Sequence, residues 1–304
     1  MSKFIDLSVK GALGDESKWF EYIGGIKAAH AGFVDYDGAK VELRKVLVSA
    51  IEKRIPEHHF GIFFSGGVDS SFIAQVCKNK NANFTCYTVG FSDKNMAIPP
   101  DIIYSRKVAK DLDLNYVEKI YNEDEAEKII EEVVKILPKP KEFGIDFFVK
   151  VGVGSVILAA KKLADDSVFF SGLGSEEIFA GYQRHSEAKD VDDECWNGLK
   201  MMWRRDILRD VSIANAAGID FRLPFLDEDV IKSAMEISSD HKINDEFKKI
   251  VLREIAELEG LSHEFAWRKK QGAQYGSKFD KAIARIAKKK GFKLKKDYLR
   301  NLVD

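Results

Sequence analysis

The chain has 304 residues, 45% of them hydrophobic, with 48 basic against 49 acidic side chains and a formal net charge of −1. That length and apolar content support a sizeable core in one large or two medium domains, and the near-neutral balance implies no global electrostatic attraction to nucleic acid or anionic lipid, leaving only local basic patches open. No apolar run approaches the ~18 residues of a membrane span, residues 1–20 carry no apolar leader stretch, and Cys77, Cys86 and Cys195 can neither close a disulfide set nor offer metal-ligand spacing. A cytoplasmic protein without membrane partners is expected.

Residues 1–38 are Gly-rich and weakly patterned and read as loops with a short hairpin. Val41, Leu43, Val46, Leu47 and Ile51 give residues 39–54 a helical period. Strand-like runs at 61–64, 84–89, 116–119 and 167–170 then alternate with helix-like runs at 71–78, 100–111, 124–137 and 147–164. This alternation predicts an α/β fold with a parallel sheet wound by helices. From about Asp190 strand signals stop, and 199–218, 227–237, 245–258 and 277–289 read as helices. The expected organisation is an N-terminal extension and helix over 1–54, an α/β core over 55–189, and a helical part over 190–304 that completes it. The Lys-rich tail 288–300 reads as a solvated helix end.

Chemistry concentrates where the first strand ends. The run from Ile62 to Val76 reads IFFSGGVDSSFIAQV. Its apolar lead fits a central parallel strand. Gly66 and Gly67 permit a tight turn and close approach of a ligand. Ser70 and Ser71 open the next helix, where free N–H groups and the helix dipole favour an anion, and the hydroxyls of Ser65, Ser70 and Ser71 add donors. Asp69 is the odd member: a carboxylate in a phosphate cradle is repulsive unless a cation lies between, so Asp69 reads as a Mg²⁺ ligand. The run lacks the Lys-Ser/Thr pair of a P-loop and the dinucleotide fingerprint. Ser-Gly-Gly-x-Asp-Ser instead resembles the pyrophosphate loop of ATP pyrophosphatases.

Three further runs narrow the resemblance. Val168 to His185 reads VFFSGLGSEEIFAGYQRH, Phe221 to Ile231 reads FRLPFLDEDVI, and Trp267 to Ser277 reads WRKKQGAQYGS. In this order they resemble the signatures of the synthetase domain of the asparagine synthetase family. The Ala-Gly-Tyr-x-Arg-His step and the Gln-x-Gly-Ser ending are similar to its asparagine synthetase domain-containing branch. The resemblance spans residues 55–280 and implies an adenine nucleotide α-hydrolase-like, ATP pyrophosphatase fold. It also implies an AMP-forming carbon–nitrogen ligase. Such an enzyme adenylates a carboxylate, aspartate by default, releases pyrophosphate from ATP, and lets ammonia displace AMP to give an amide.

Site residues follow position by position from that resemblance. Ser65, Gly66, Gly67, Asp69, Ser70 and Ser71 would hold the ATP phosphates. Asp69 and Glu176 would hold Mg²⁺, with Glu176 standing where the family usually has Asp. Phe63, Val89 and Gly172 would flank adenine and ribose. Lys270 would stabilise the charge that builds on the α-phosphate, as a fixed cation can. Asp206 and Arg209 match an Asp-x-x-Arg that reads the substrate amino acid, or else form an exposed helical pair. Arg184 and His185 read as structural.

Two departures stand out. Leu173 occupies the place of a catalytic glutamate and cannot move a proton, so Glu176, Glu177 or the substrate would take that part, or the acceptor differs from aspartate. Only 64 residues precede the phosphate loop at Ser65 and residue 2 is Ser2, too little for the family's N-terminal glutaminase domain, so nitrogen would come as free ammonia or from a separate glutaminase subunit. Other classes stay open: a related ATP pyrophosphatase acting on tRNA, which the charge balance disfavours; a catalytically silent nucleotide-binding relative; and an intramolecular amide-former such as a β-lactam synthetase.

Overall fold

A computed structural model describes residues 15–94, 96–140, 143–269 and 272–303. Five parallel strands form one sheet: β1 Phe60–Phe63, β2 Phe84–Phe91, β3 Tyr116–Tyr121, β4 Val168–Phe170 and β5 Asp220–Arg222, in the order β3-β2-β1-β4-β5. The helices before β4 are α1 Glu16–Ala28, α2 Tyr36–Glu52, α3 Val68–Asn79, α4 Pro100–Asp111, α5 Glu123–Ile136 and α6 Ile145–Lys161. After β4 come α7 Ser175–Ile178, α8 Gln183–Glu187, α9 Val191–Met202, a π-helical turn Trp203–Ile207, and α10 Leu208–Ala217. Beyond β5 lie α11 Glu228–Met235, α12 Ile250–Leu258, α13 His263–Ala266, α14 Ala273–Gly276, α15 Phe279–Lys289 and α16 Lys295–Val303.

The alternating region folds as its pattern indicates. Phe60, Gly61 and Ile62 of β1 are all buried, as expected for a strand covered on both faces. Helix α2 buries Leu43, Leu47, Ala50 and Ile51, and α5 is opened by a reciprocal cap in which Asn122 and Glu125 each accept the other's backbone N–H at 3.0 Å. Helices flank the sheet: α2 packs against α3, α11 and α12, and α5, α6, α10 and α15 pack on one another. After β3 the chain returns through α5 and α6 to the far side of β1, where β4 and β5 add. The order therefore reverses between β1 and β4, and the crevice outside their carboxyl ends is where such sheets bind ligands.

Two expectations are corrected. Part of the segment read as loops and a hairpin is the helix α1, in which Trp19, Ile23 and Ile26 are buried and the Trp19 indole donates to the Leu199 carbonyl at 2.9 Å. Gly24 and Gly25 inside it weaken the intrinsic helix signal by about 1 kcal/mol each, and burial of the Trp19 stripe against α9 outweighs them. Strands also do not stop at Asp190. β5 pairs with β4 over Val168↔Asp220 to Phe170↔Arg222, and its three residues are too few to show a period of two.

The signature Arg222–Asp227 acts as a joint in this fold. Asp227 caps α11 and accepts from Arg54 at the end of α2 at 2.8 Å, both side chains being buried. Leu226 lies so close to Gly174 that a methyl at that glycine would be 2.8 Å from Leu226 Cγ. The start of α7 is thereby held against the end of the sheet. In the Lys-rich tail, Lys289, Lys290 and Lys295 pair with Glu123, Glu127 and Asp280, so these charges are met locally. No helix among the described residues is long and apolar enough to cross a membrane.

Candidate active site

The loop after β1 is built to receive an anion. Helix α3 starts at Val68 with Gly67 as its N-cap and no side-chain cap, so its first N–H groups remain available to a ligand. Gly66 sits at φ +63°, and a methyl there would come 2.8 Å from the Ser105 backbone nitrogen. Only glycine satisfies both conditions. The Ser70 hydroxyl accepts from the Ser65 N–H at 3.3 Å and donates to the Gly67 carbonyl at 3.2 Å, closing the turn. Ser71 is fully buried, and its hydroxyl has no hydrogen-bond partner among the described residues, an arrangement that costs about 1–3 kcal/mol unless a ligand completes it.

Asp69 and Glu176, proposed from the sequence as metal ligands, are brought together on one cation, and that cation is a side chain. The Lys249 ammonium lies 2.8 and 2.9 Å from the two Asp69 oxygens, 2.7 Å from Glu176 Oε1 and 3.1 Å from the Ser175 hydroxyl. Burial alone would lower the Lys249 pKa, but Asp69 and Glu176 outweigh it and hold the ammonium above its usual range. Glycines make the approach feasible. A methyl at Gly172 would be 2.9 Å from Asp69 Cβ, and one at Gly181 would overlap Glu176 Oε2 and Lys249 Cε. Among the described residues no cluster of three or more His, Cys, Asp or Glu has metal-holding geometry.

A second basic residue grips the loop from the far end of the chain. Arg268 Nη1 donates to the carbonyls of Ser65 and Gly66 at 3.2 and 3.0 Å, and its guanidinium stacks over Tyr104 at 3.7 Å. Arg253 in turn donates to the carbonyls of Ala266 and Arg268, shaping the segment that leads to Lys270. Lys270 itself lies outside the described residues, as do Gln271 and residues 1–14 with Ser2. Of the residues expected at the nucleoside, Phe63 is half-buried and stacks on Phe169 at 4.6 Å, Val89 is buried in β2, and Gly172 lies against Asp69.

Beside this centre is a buried charge network. Glu177 is fully enclosed and pairs with Arg205; burial pushes its carboxyl up to about 7 against the pull of Arg205. Among the described residues no bond joins Glu177 to the phosphate loop, and its Oε2 has no hydrogen-bond partner. The π-helical turn sets Arg205 and Asp206 side by side, with Arg205 Nε 2.6 Å from Asp206. Asp206 and Arg209 do pair, at 3.0 Å, but the pair is buried rather than exposed, and Arg209 also holds Asp210 at 2.6 Å. The network backs an open cavity of about 460 Å³ whose lining includes Asp146, Lys150, Arg184, Glu194 and Arg205. Lys150 is half-buried and makes no ion pair among the described residues. Leu173, also half-buried, donates its N–H to the Ser171 hydroxyl at 3.3 Å.

Lys249 and Arg268 were not singled out in the sequence. Lys249 sits in a run that reads as the interior of one helix from 245, whereas α12 begins only at Ile250 and Lys249 is its left-handed N-cap, with φ 59°. A lysine in that conformation is the signal that could have marked it, and the signal exists only in the backbone.

The asparagine synthase family model matches this chain over residues 42–197 and 185–300. A putative glutamine-hydrolysing asparagine synthetase of Methanocaldococcus jannaschii is 30% identical to it, over 91% of this chain and 57% of that protein. The glutamine-hydrolysing asparagine synthetase of Gallus gallus is 29% identical, over 90% of this chain and 48% of its own length. The chain therefore spans about half the length of the curated relatives it matches. An ammonia-dependent NAD synthetase from Campylobacter jejuni, solved with nitrate ion, aligns over 89% of this chain and 94% of its own at 12% identity, with a TM-score of 0.36.

Proposed function

This chain belongs to the asparagine synthase family, and from that premise we propose that it is an ATP-dependent, AMP-forming amide ligase. The reaction couples two displacements. The acceptor carboxylate attacks the α-phosphorus of ATP, expelling pyrophosphate, and ammonia then attacks the activated carbonyl, expelling AMP. Ammonia enters free or from a separate glutaminase subunit. Aspartate is the default acceptor.

The observation that carries the reading is the convergence of Asp69 and Glu176, from the loops after β1 and β4, on one cation at 2.7–2.9 Å. Two carboxylates beside an anion cradle fit Mg²⁺, which keeps several waters and takes the rest of its ligands from phosphates. Asp69 and Glu176 would hold it, and the ion would neutralise charge on the departing pyrophosphate. The chain's own groups do the remainder. The free N–H groups of α3 and the hydroxyls of Ser65, Ser70 and Ser71 hold phosphate oxygens, and Phe63, Val89 and Gly172 border the nucleoside. Arg268 fixes the loop, and Lys270 offsets charge at the α-phosphate. Glu177, paired with Arg205, shapes the wall of the acceptor cavity. There Lys150 offers a cation to a second acidic group of the acceptor, while Asp206 and Arg209 support that wall from behind.

The test is pyrophosphate release from ATP·Mg²⁺ with ammonium across a panel of amino acids and other carboxylates, with Lys270→Ala as control. The reading expects release with one acceptor and its loss in the control. No release with any acceptor, in a protein that binds ATP, would sink it.

A further inference from the structure

We propose that Lys249 is a resident counter-ion of the cation site. In the nucleotide-free protein its ammonium fills the place between Asp69 and Glu176, and a divalent ion enters only together with the triphosphate. The inference rests on the reading of this crevice as a nucleotide–metal site and concerns how the site is kept in the absence of ligand.

Three observations carry it. The first is saturation. The ammonium has three N–H donors, and Asp69, Glu176 and Ser175 accept from it at 2.7–3.1 Å. A lone divalent ion must break all of these contacts and strand a buried cation. The second is charge. Lys249 is the cation in contact with both carboxylates, with Arg253 acting on them from further off, and replacement by a divalent ion neutralises both carboxylates and frees the ammonium. That freed charge finds a partner only when phosphate occupies the adjacent loop. The third is strain. Lys249 adopts φ 59° and ψ 37°, the left-handed conformation that is strained for a residue with a Cβ. It is over-determined by its surroundings: the Ile243↔Lys248 bridge precedes it, the Ile250 N–H bonds the Lys242 carbonyl at 2.9 Å, and the Arg253 N–H bonds the Lys249 carbonyl at 3.0 Å. The fold spends this strain on aiming one ammonium at two carboxylates, and Gly181 leaves the room that both side chains need.

By linkage, a group that competes with the metal and pairs with the nucleotide makes the two bind cooperatively, each raising the affinity of the other by the same factor. The experiment is a Mn²⁺ titration of the full chain followed by electron paramagnetic resonance. It is run with and without α,β-methylene-ATP, which cannot release pyrophosphate, and corrected for Mn²⁺ held by free nucleotide. In the wild type the analogue is expected to raise Mn²⁺ affinity at least tenfold. Lys249→Met is expected to bind Mn²⁺ at least tenfold more tightly than wild type without nucleotide, and to lose most of the coupling. Equal Mn²⁺ affinity of the wild type with and without the analogue overturns the inference while leaving the nucleotide reading intact, and it needs no variant that folds. Failure of the wild type to take up Mn²⁺ even with the analogue overturns both.

Discussion

The carboxylate of Asp69, in the first turn of the helix after β1, holds the ammonium of Lys249, 180 residues later, with both oxygens at 2.8 and 2.9 Å. This pair ties the phosphate loop to α12, and Glu176 completes it from α7. Replacing Asp69 leaves the buried Lys249 ammonium with the half-exposed Glu176 carboxylate and removes charge-assisted hydrogen bonds worth about 1.5–3 kcal/mol each. Asp69→Asn should therefore lower stability by roughly 2–3 kcal/mol, Glu176 still being present, and reduce pyrophosphate release at least 100-fold. Chemical denaturation and the release assay check the two halves separately; an active Asp69→Asn protein would refute the metal-ligand assignment.

Gly181→Ala and Gly66→Ala should differ in kind. At Gly181 the added methyl meets the far ends of two side chains, Glu176 and Lys249. These can move, so stability should fall by less than about 1 kcal/mol while activity drops at least tenfold. At Gly66 the methyl meets Ser105 and Tyr104 backbone at a positive φ, so the fold itself should lose roughly 2–4 kcal/mol. Melting temperatures beside turnover rates separate the two.

Arg268→Lys should loosen the loop rather than abolish chemistry. Lysine keeps the charge but has neither the planar fork that reaches two carbonyls nor the face that stacks on Tyr104. A rise of about tenfold in KM for ATP with kcat within threefold is expected from steady-state kinetics.

Glu177 should leave a pH signature on stability. Its folded pKa of about 7 lies above the ordinary 4.5, so the folded state holds the proton more tightly than the unfolded one. The associated stability is present below about pH 4.5 and is lost as pH rises through 7. Glu177→Gln cannot ionise, so its melting temperature relative to wild type should climb between pH 5 and pH 8. A difference that stays flat across that range would place the Glu177 pKa elsewhere.

Trp19 tests the helix that the sequence did not reveal. Its indole is fully buried and bonds the Leu199 carbonyl at 2.9 Å. Trp19→Ala should cost about 3–5 kcal/mol, measured by chemical denaturation; a cost below 1 kcal/mol would mean that α1 is not anchored there.

The sequence by itself determined the wound parallel region and the loop after β1, because those features are local. Consecutive apolar residues mark a doubly covered strand, and a Ser-Gly-Gly-x-Asp-Ser run leaves helix N–H groups open whatever lies around it. It marked Asp69 as a Mg²⁺ ligand from its place in an anion cradle, and the family resemblance added Glu176 in the same role. The tertiary structure alone decided what now stands between them. Lys249 and Arg268 reach the site from about 180 and 200 positions away, and no periodicity encodes such a distance. The same is true of α1, where packing of Trp19 overrides two glycines, and of β5, whose three residues become a strand because β4 offers an edge. Local rules reach one turn of a helix or one pair of strands. A buried ion pair is settled by which distant segments share a crevice, and here that crevice exists because the strand order reverses between β1 and β4.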